Sequence, residues 1–463
     1  MSKQSLARSA LAAIAVVGTL TALAASGGAA SLQDAMERAY RDNPDLQAAR
    51  QQLEATNEQV PQARSGWRPD VRVNLSAGIR RRAAQSSFES TSDRLEPRSG
   101  ELQVEQPVYQ GGSTVAGIER AKNAVRAERS RLGVTRQDVL LRAVRAYMNV
   151  WRDQAVLRLN RNNVEVLQER LEATRQRFDV GEVTQTDVAQ AESRVSRAIA
   201  DRTAARSELE ASRATYAEVI GGPPSDLSFP DVPDDLPATR EETIAEAKAD
   251  NPAVEAARFA ERAARKQVRE TEGELLPQFQ LVGTLQRSQR QTSSESETDT
   301  AEILAQLTVP LYQQGAVYSR VRETKQVASQ RQLQTVSERR TAEQEAVSAW
   351  EDLQAARSRI EARRKQVDTA EIALEGVQEE QRVGERTVLD VLDQEQELLN
   401  AQVDLVRARR DLVVASYRVL ASVGNLSPGF VGLDVETYPA EARYQAVDDR
   451  IFGLTAPGDG DDS

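Results

Sequence analysis

The chain spells one unusual junction twice. Residues 106–122 read QPVYQGGSTVAGIERAK, and residues 309–325 read VPLYQQGAVYSRVRETK. The agreement extends well beyond that junction. NPDLQAARQQLEATNEQV, beginning at Asn43, matches NPAVEAARFAERAARKQV, beginning at Asn251. VGEVTQTDVAQAE at 180–192 matches VGERTVLDVLDQE at 383–395. The offset is 208 residues at Pro69 and Pro277 and 203 at Tyr109 and Tyr312, so the drift falls between Pro69 and Pro107, where a loop can shorten. Self-similarity held over most of a chain means that one supersecondary plan is built twice. The copies span 31–222 and 238–427. A linker rich in Pro and Asp, PPSDLSFPDVPDDLP at 223–237, separates them, and a tail follows from 428 to 463.

Each copy divides into four pieces. The first, 32–66 and 240–274, is rich in Ala, Arg, Glu and Gln and predicts a helix, with a kink at Pro61 in the first copy. The second alternates. Val71, Val73, Leu75, Ala77 and Ile79 share one face, while Arg72, Asn74 and Ser76 share the other. Period two predicts strands at 70–82 and 99–108, and again at 278–289 and 301–310. About ten residues is also the length a tilted strand needs to cross a bilayer, although a soluble hairpin would show the same pattern. The segments between the paired strands, RRAAQSSFESTSDRLEPRSG and RSQRQTSSESETDT, are polar and read as solvent-facing loops.

The third piece, 113–178 and 316–381, contains no proline. At about 1.5 Å per residue, each makes a helix roughly 100 Å long. Leu157, Val164 and Leu171 recur at seven-residue spacing, as do Ile360, Val367 and Leu374, which is a coiled-coil period. Gly181 and Gly384 mark tip turns, after which the fourth piece, 186–220 and 388–423, returns as a helix of about half the length. The first and fourth pieces together match the third. They are therefore expected to stack end to end beside it, so that each copy is a two-column helical hairpin hung from a β-hairpin.

The repeated junction marks where strand becomes helix. Pro107 and Pro310 are expected to end the ladder, since proline has no N–H to donate. Gly112 and Gly315 let the backbone turn. Tyr109, Tyr312 and Trp67 suit a membrane–water interface, the plain alternative being that they pack a domain corner.

Composition excludes several functions. The chain has no Cys and no His, so catalytic, metal and cofactor sites are not expected. A net charge of −11 argues against a nucleic-acid partner. Residues 1–30 place Lys3 and Arg8 before a short apolar run and end in GGAAS, as in a secretory signal cleaved between Ala30 and Ser31. No later segment is apolar enough for a membrane helix, so a membrane would have to be entered as strands. Four strands cannot close a barrel, and open edges are not tolerated in lipid, so copies of the chain must complete it. Two copies give eight strands and a filled interior; three give twelve, enough for a hollow one. Spacing alone leaves three and four copies open.

With this duplicated plan, QPVYQGG and VPLYQQG after the strands, and VGERTVLDVLDQEQELLNAQ at 383–402, residues 31–428 resemble the TolC family of outer-membrane efflux ducts. The resemblance implies a mostly α fold with a membrane β-barrel: a homotrimer with a twelve-stranded barrel in the outer membrane of a Gram-negative bacterium and an α-barrel crossing the periplasm. It implies a passive exit duct for efflux or type I secretion. The tip would open when a periplasmic adaptor and an inner-membrane ABC, RND or MFS transporter dock. Outer-membrane lipid is the remaining partner. Carried over residue by residue, the entrance acids fall on Asp390 and Asp393, whose spacing of three puts both on one helix face. Crowding of like charges is expected to raise some of their pKa values. The gate links fall on Arg386 with Thr186 and on Gln381 with Asp187; the family pattern has a tyrosine where this chain has Gln381. The simpler reading of Asp187 and Asp390 is that they complement a helix dipole. The competing functions are a soluble periplasmic coiled-coil structural protein and a periplasmic adaptor. The first has no need of four amphipathic strands, and the second should carry a lipoyl-like β domain that the sequence does not show.

Overall fold

The computed structural model describes residues 31–85 and 90–454; the expected signal peptide and the last nine residues of the tail lie outside them. In the first copy, α1 (Leu32–Asp42), α2 (Pro44–Asn57) and α3 (Gln59–Arg64) precede β1 (Asp70–Ala77), β2 (Arg80–Gln85), β3 (Ser90–Leu95) and β4 (Arg98–Gln110). The helices α4 (Ser113–Asp179) and α5 (Gln185–Ile220) complete it. The second copy runs α6 (Arg240–Asp250), α7 (Pro252–Gly273), β5 (Gln278–Gln289), β6 (Glu297–Thr308), α8 (Ala316–Arg382) and α9 (Val388–Val423), and α10 (Ala440–Asp448) lies in the tail. The two long helices have 67 residues each. Among the described residues no helix is long and apolar enough to cross a membrane.

The first piece of each copy is not one helix. It breaks at Asn43 and Asn251, the first letter of the repeated NP. Each Asn caps the next helix, accepting from the Asp45 N–H at 3.0 Å or the Ala253 N–H at 2.9 Å, and Pro takes the first helical position, where no N–H is needed. Each Asn amide also donates to the returning helix, Asn43 to the Val219 carbonyl and Asn251 to the Ser422 carbonyl, both at 3.0 Å and buried. Arg50 and Arg258 then reach back to the Tyr40 and Lys248 carbonyls. The columns are therefore α5 continued by α2–α3, and α9 continued by α7. The first eleven residues of each piece fold aside: α1 buries Leu32, Met36 and Ala39 against Tyr147, Tyr216 and Ile220. This is the largest core of the molecule. The linker and tail pack onto it through Leu227, Val232, Leu236 and Leu433, while the Phe229 ring meets Trp151 at a tilt, with centroids 4.8 Å apart.

The strands form one antiparallel sheet in the order β1-β4-β5-β6, leaving β1 and β6 as edges. Val73 lies opposite Leu102, Leu102 opposite Leu285, and Leu285 opposite Ala301, so apolar positions from all four strands line up on one face. Among the described residues nothing covers that face fully: Leu75 is 80% exposed and Ile303 83%. The opposite face carries Arg72, Asn74, Gln103, Glu105, Gln280, Glu302 and Gln306.

Several sequence expectations need correction. The 70–82 strand is interrupted at Gly78, whose N–H bonds the Pro97 carbonyl, and part of the expected first loop pairs as the ribbon β2–β3. The second loop is shorter than expected because 297–300 join the ladder opposite 286–289. β6 stops at Thr308, before Pro310, but β4 runs through Pro107 to Gln110. The ladder slips between Pro107 and Tyr109, and β1 pairing has already ended at Asp70–Glu105, so one flank of β4 is free at the proline.

Candidate functional site

The two helical tips far from the sheet are built alike. Gly181 and Gly384 adopt left-handed φ of 81° and 84°, which ends the long helices. The Glu182 N–H closes back on the Arg177 carbonyl and the Glu385 N–H on the Glu380 carbonyl, both at 2.9 Å. Thr184 and Thr387 then cap the returning helices. Each hydroxyl accepts from the backbone N–H of the Asp three residues on, and that Asp accepts the Thr backbone N–H at 2.8 Å. The Thr-x-x-Asp spacing is a capping box, and it explains the shared phrase of 180–192 and 383–395.

Asp187 and Asp390 are thus committed to their own helices, as the simpler reading expects. The Thr387 backbone N–H and then its hydroxyl hold the Asp390 carboxyl below its ordinary range, opposite in direction to the expected effect of crowding. Asp393 is not bare either, since it forms an ion pair with Arg194 of α5. Neither expected gate link forms within one chain. Arg386 bonds Glu380 at 2.8 Å instead of Thr186, and the Asp187 carboxylate is taken by Thr184 rather than Gln381. In each case a partner a few residues away wins, because closing a short loop costs less chain entropy than fixing a distant contact.

Other residues join the two repeats here. Leu392 of α9 is buried among Val164, Leu167 and Leu171 of α4 and Ala191 and Val195 of α5. Beside it, the Arg170 Nε donates to the Glu395 Oε1 at 2.9 Å. Glu395 is buried, and its second oxygen has no partner. Burial pushes the Glu395 carboxyl up, and Arg170 offsets part of that rise. One apolar knob flanked by Arg170–Glu395 and Arg194–Asp393 therefore clamps the end of α9 onto the α4–α5 hairpin. The capping box was legible in sequence. Arg170 and Glu395 stand 225 residues apart, and no local pattern pairs them.

At the other end, Trp67, Tyr109 and Tyr312 are exposed where strands meet helices, with Leu276 and Leu311. Gly112 and Gly315 precede the long helices at φ 78°. Among the described residues, no group of three or more Asp and Glu is placed to hold a metal.

A family model described as outer membrane efflux protein matches residues 35–222 and 243–425, one match for each copy. The chain is 34% identical over 432 residues to the outer membrane efflux protein BepC of Brucella suis, covering 92% of each chain. It is 28% identical to the outer membrane protein TolC of Vibrio cholerae, covering 89% of this chain and 94% of that one. The crystal structure of the Campylobacter jejuni CmeC outer membrane channel shares the fold, with a TM-score of 0.78 and 18% identity over 85% of each chain.

Proposed function

Because this chain belongs to the outer membrane efflux protein family, as an exit duct of the outer membrane that reaches into the periplasm, we propose that it works as a homotrimer gated at its helical tips. The observation that carries the trimer is the four-stranded sheet with two open edges and one exposed apolar face. Lipid cannot satisfy unpaired edge N–H and C=O groups, so β1 of one copy must pair with β6 of the next. Three copies give the smallest closed ring that leaves a passage. The apolar face then meets lipid, the polar face lines water, and Trp67, Tyr109 and Tyr312 stand at the periplasmic rim.

The same reading makes the α9 tip the moving part. Asp390 keeps its charge in the cap and faces the axis with its two symmetry mates, favouring cations. Asp393 is masked by Arg194 while α9 lies against α5 and is unmasked when they part. Such exposed pairs contribute about 1 kcal/mol or less each, weak enough for a docking partner to displace. That partner is a periplasmic adaptor coupled to an inner-membrane transporter, which supplies the energy; the chain itself catalyses no reaction.

Single-channel recording of the purified mature protein tests both parts. A cation-selective conductance that divalent cations block from the tip side, with the block lost in Asp390→Ala/Asp393→Ala, is the expected result. A pore indifferent to those two residues removes the acidic entrance and keeps the duct. A well-folded protein that never inserts removes the membrane barrel.

A further inference from the structure

After α9 the chain does not stop at the core around Tyr147 and Tyr216. The Asp434 N–H donates to the Glu37 Oε1 at 2.8 Å, and the Tyr438 N–H to the Tyr40 hydroxyl at 3.1 Å. Arg50 and Arg443 both lie over the Tyr438 ring, and the Tyr438 hydroxyl bonds Glu54. Further along, α10 is tied to the first repeat by Arg129–Glu441 at 2.6 Å and Arg64–Asp448 at 2.7 Å. The strap thus climbs α2 and α3 toward the sheet. Its last hold is the Arg68 guanidinium, which donates to the Arg450 carbonyl at 3.1 Å. Arg68 is two residues from the start of β1, so the strap ends level with the rim of the sheet.

What it delivers there is apolar and uncovered. Ile451 is 62% exposed, Phe452 89%, and Leu454 wholly so. They are also held in a turn. Gly453 has φ +113°, which side-chain-bearing residues rarely adopt, and the Arg450 guanidinium folds back over it and donates from Nε to the Phe452 carbonyl at 3.3 Å. Trp67, the residue before Arg68, is likewise exposed, as are Tyr109, Leu276, Leu311 and Tyr312 at the strand ends. Charged residues bound it closely: Asp448, Asp449 and Arg450 before, and an acidic end, GDGDDS, after. A segment this short and this bounded can dip into a headgroup region but cannot span a bilayer.

We infer that Ile451, Phe452 and Leu454 insert into the periplasm-facing leaflet of the outer membrane, making the tail a lipid anchor for the first repeat. The occupant is a phospholipid surface: the Arg68–Arg450 bond holds the patch beside the start of β1, at the edge of a membrane-facing sheet, and Arg68 sits where a basic group meets anionic headgroups. The inference rests on the membrane-barrel reading above.

The chain has no cysteine, so single sites can be spin-labelled without background. Phe452→Cys, Leu75→Cys on the apolar sheet face and Glu385→Cys at the tip would be labelled and reconstituted in phosphatidylethanolamine–phosphatidylglycerol vesicles. Collisional accessibility to oxygen and to a water-soluble nickel chelate would then be compared. The expected result is an oxygen-to-nickel ratio at 452 and 75 several-fold above that at 385. A lipid-like ratio at 75 with a water-like ratio at 452 overturns the anchor and leaves the barrel standing. Water-like ratios at both overturn the barrel reading and the anchor with it.

Discussion

Glu395 is the residue whose chemistry is most at odds with its place. A carboxylate with one unpartnered oxygen is buried at the end of α9. Because burial raises its pKa in the fold above the ordinary 4.5, its charge is a cost that is absent below that value and grows as pH rises through the folded value. Glu395→Gln removes the cost. The melting temperature of this variant should exceed that of wild type at neutral pH, and the gap should close as pH falls toward 4.5; a gap that widens on acidification would sink the assignment. Removing the other partner does the opposite. Arg170→Ala strands a buried carboxylate and should destabilise the lower coiled coil by about 1–3 kcal/mol, less than for a fully buried pair because Arg170 is partly hydrated. Arg194→Ala leaves no buried charge behind. It should mainly raise the open fraction in single-channel records, by about five-fold if the pair contributes roughly 1 kcal/mol. An unchanged open fraction would discard the pair as part of the gate.

Among the elements, the two NP breaks carry the most information. At each one an Asn caps one helix and ties down the end of another, which welds two short helices into one column. Asn251→Ala loses the cap and a buried hydrogen bond and should cost about 1–3 kcal/mol in chemical denaturation. Glycines at helix ends separate strain from crowding. Gly424 and Gly315 both have positive φ, yet a Cβ at 424 would lie 2.6 Å from the Asp250 carbonyl, whereas one at 315 would meet nothing within 4 Å. Gly424→Ala should therefore cost clearly more than Gly315→Ala, which pays only about 1–2 kcal/mol of backbone strain. Equal costs would mean that the α6–α7 corner yields easily.

For the whole molecule, the sheet decides what the chain can be. Ile303 lies on the apolar face and Glu302 on the polar one. Ile303→Lys should abolish insertion, since a lysine at mid-bilayer costs about 2–4 kcal/mol in each copy. Glu302→Lys should leave insertion intact and lower the cation selectivity of the pore. If both variants insert equally well, the sheet does not face lipid.

Much of this was legible in residues alone. The strands announce themselves by alternation, as in VRVNL, and the long helices by 66 proline-free residues with a seven-residue apolar beat. The duplication makes each observation twice. These are local signals, set by backbone geometry and by which face must avoid water, and a sequence carries them without knowing its neighbours. The breaks at Asn43 and Asn251 were not legible as breaks, because α1 leaves the column to fill the core against Tyr147 and Tyr216, a choice made by packing. Nor was the clamp of Arg170 on Glu395, or the exchange of Arg386 from a distant threonine to a nearby glutamate. Sequence set the elements, their order and the two faces of the sheet. Tertiary structure alone decided which charged side chains meet, because a side chain's partner depends on chain entropy and on which surfaces packing brings within a few ångströms.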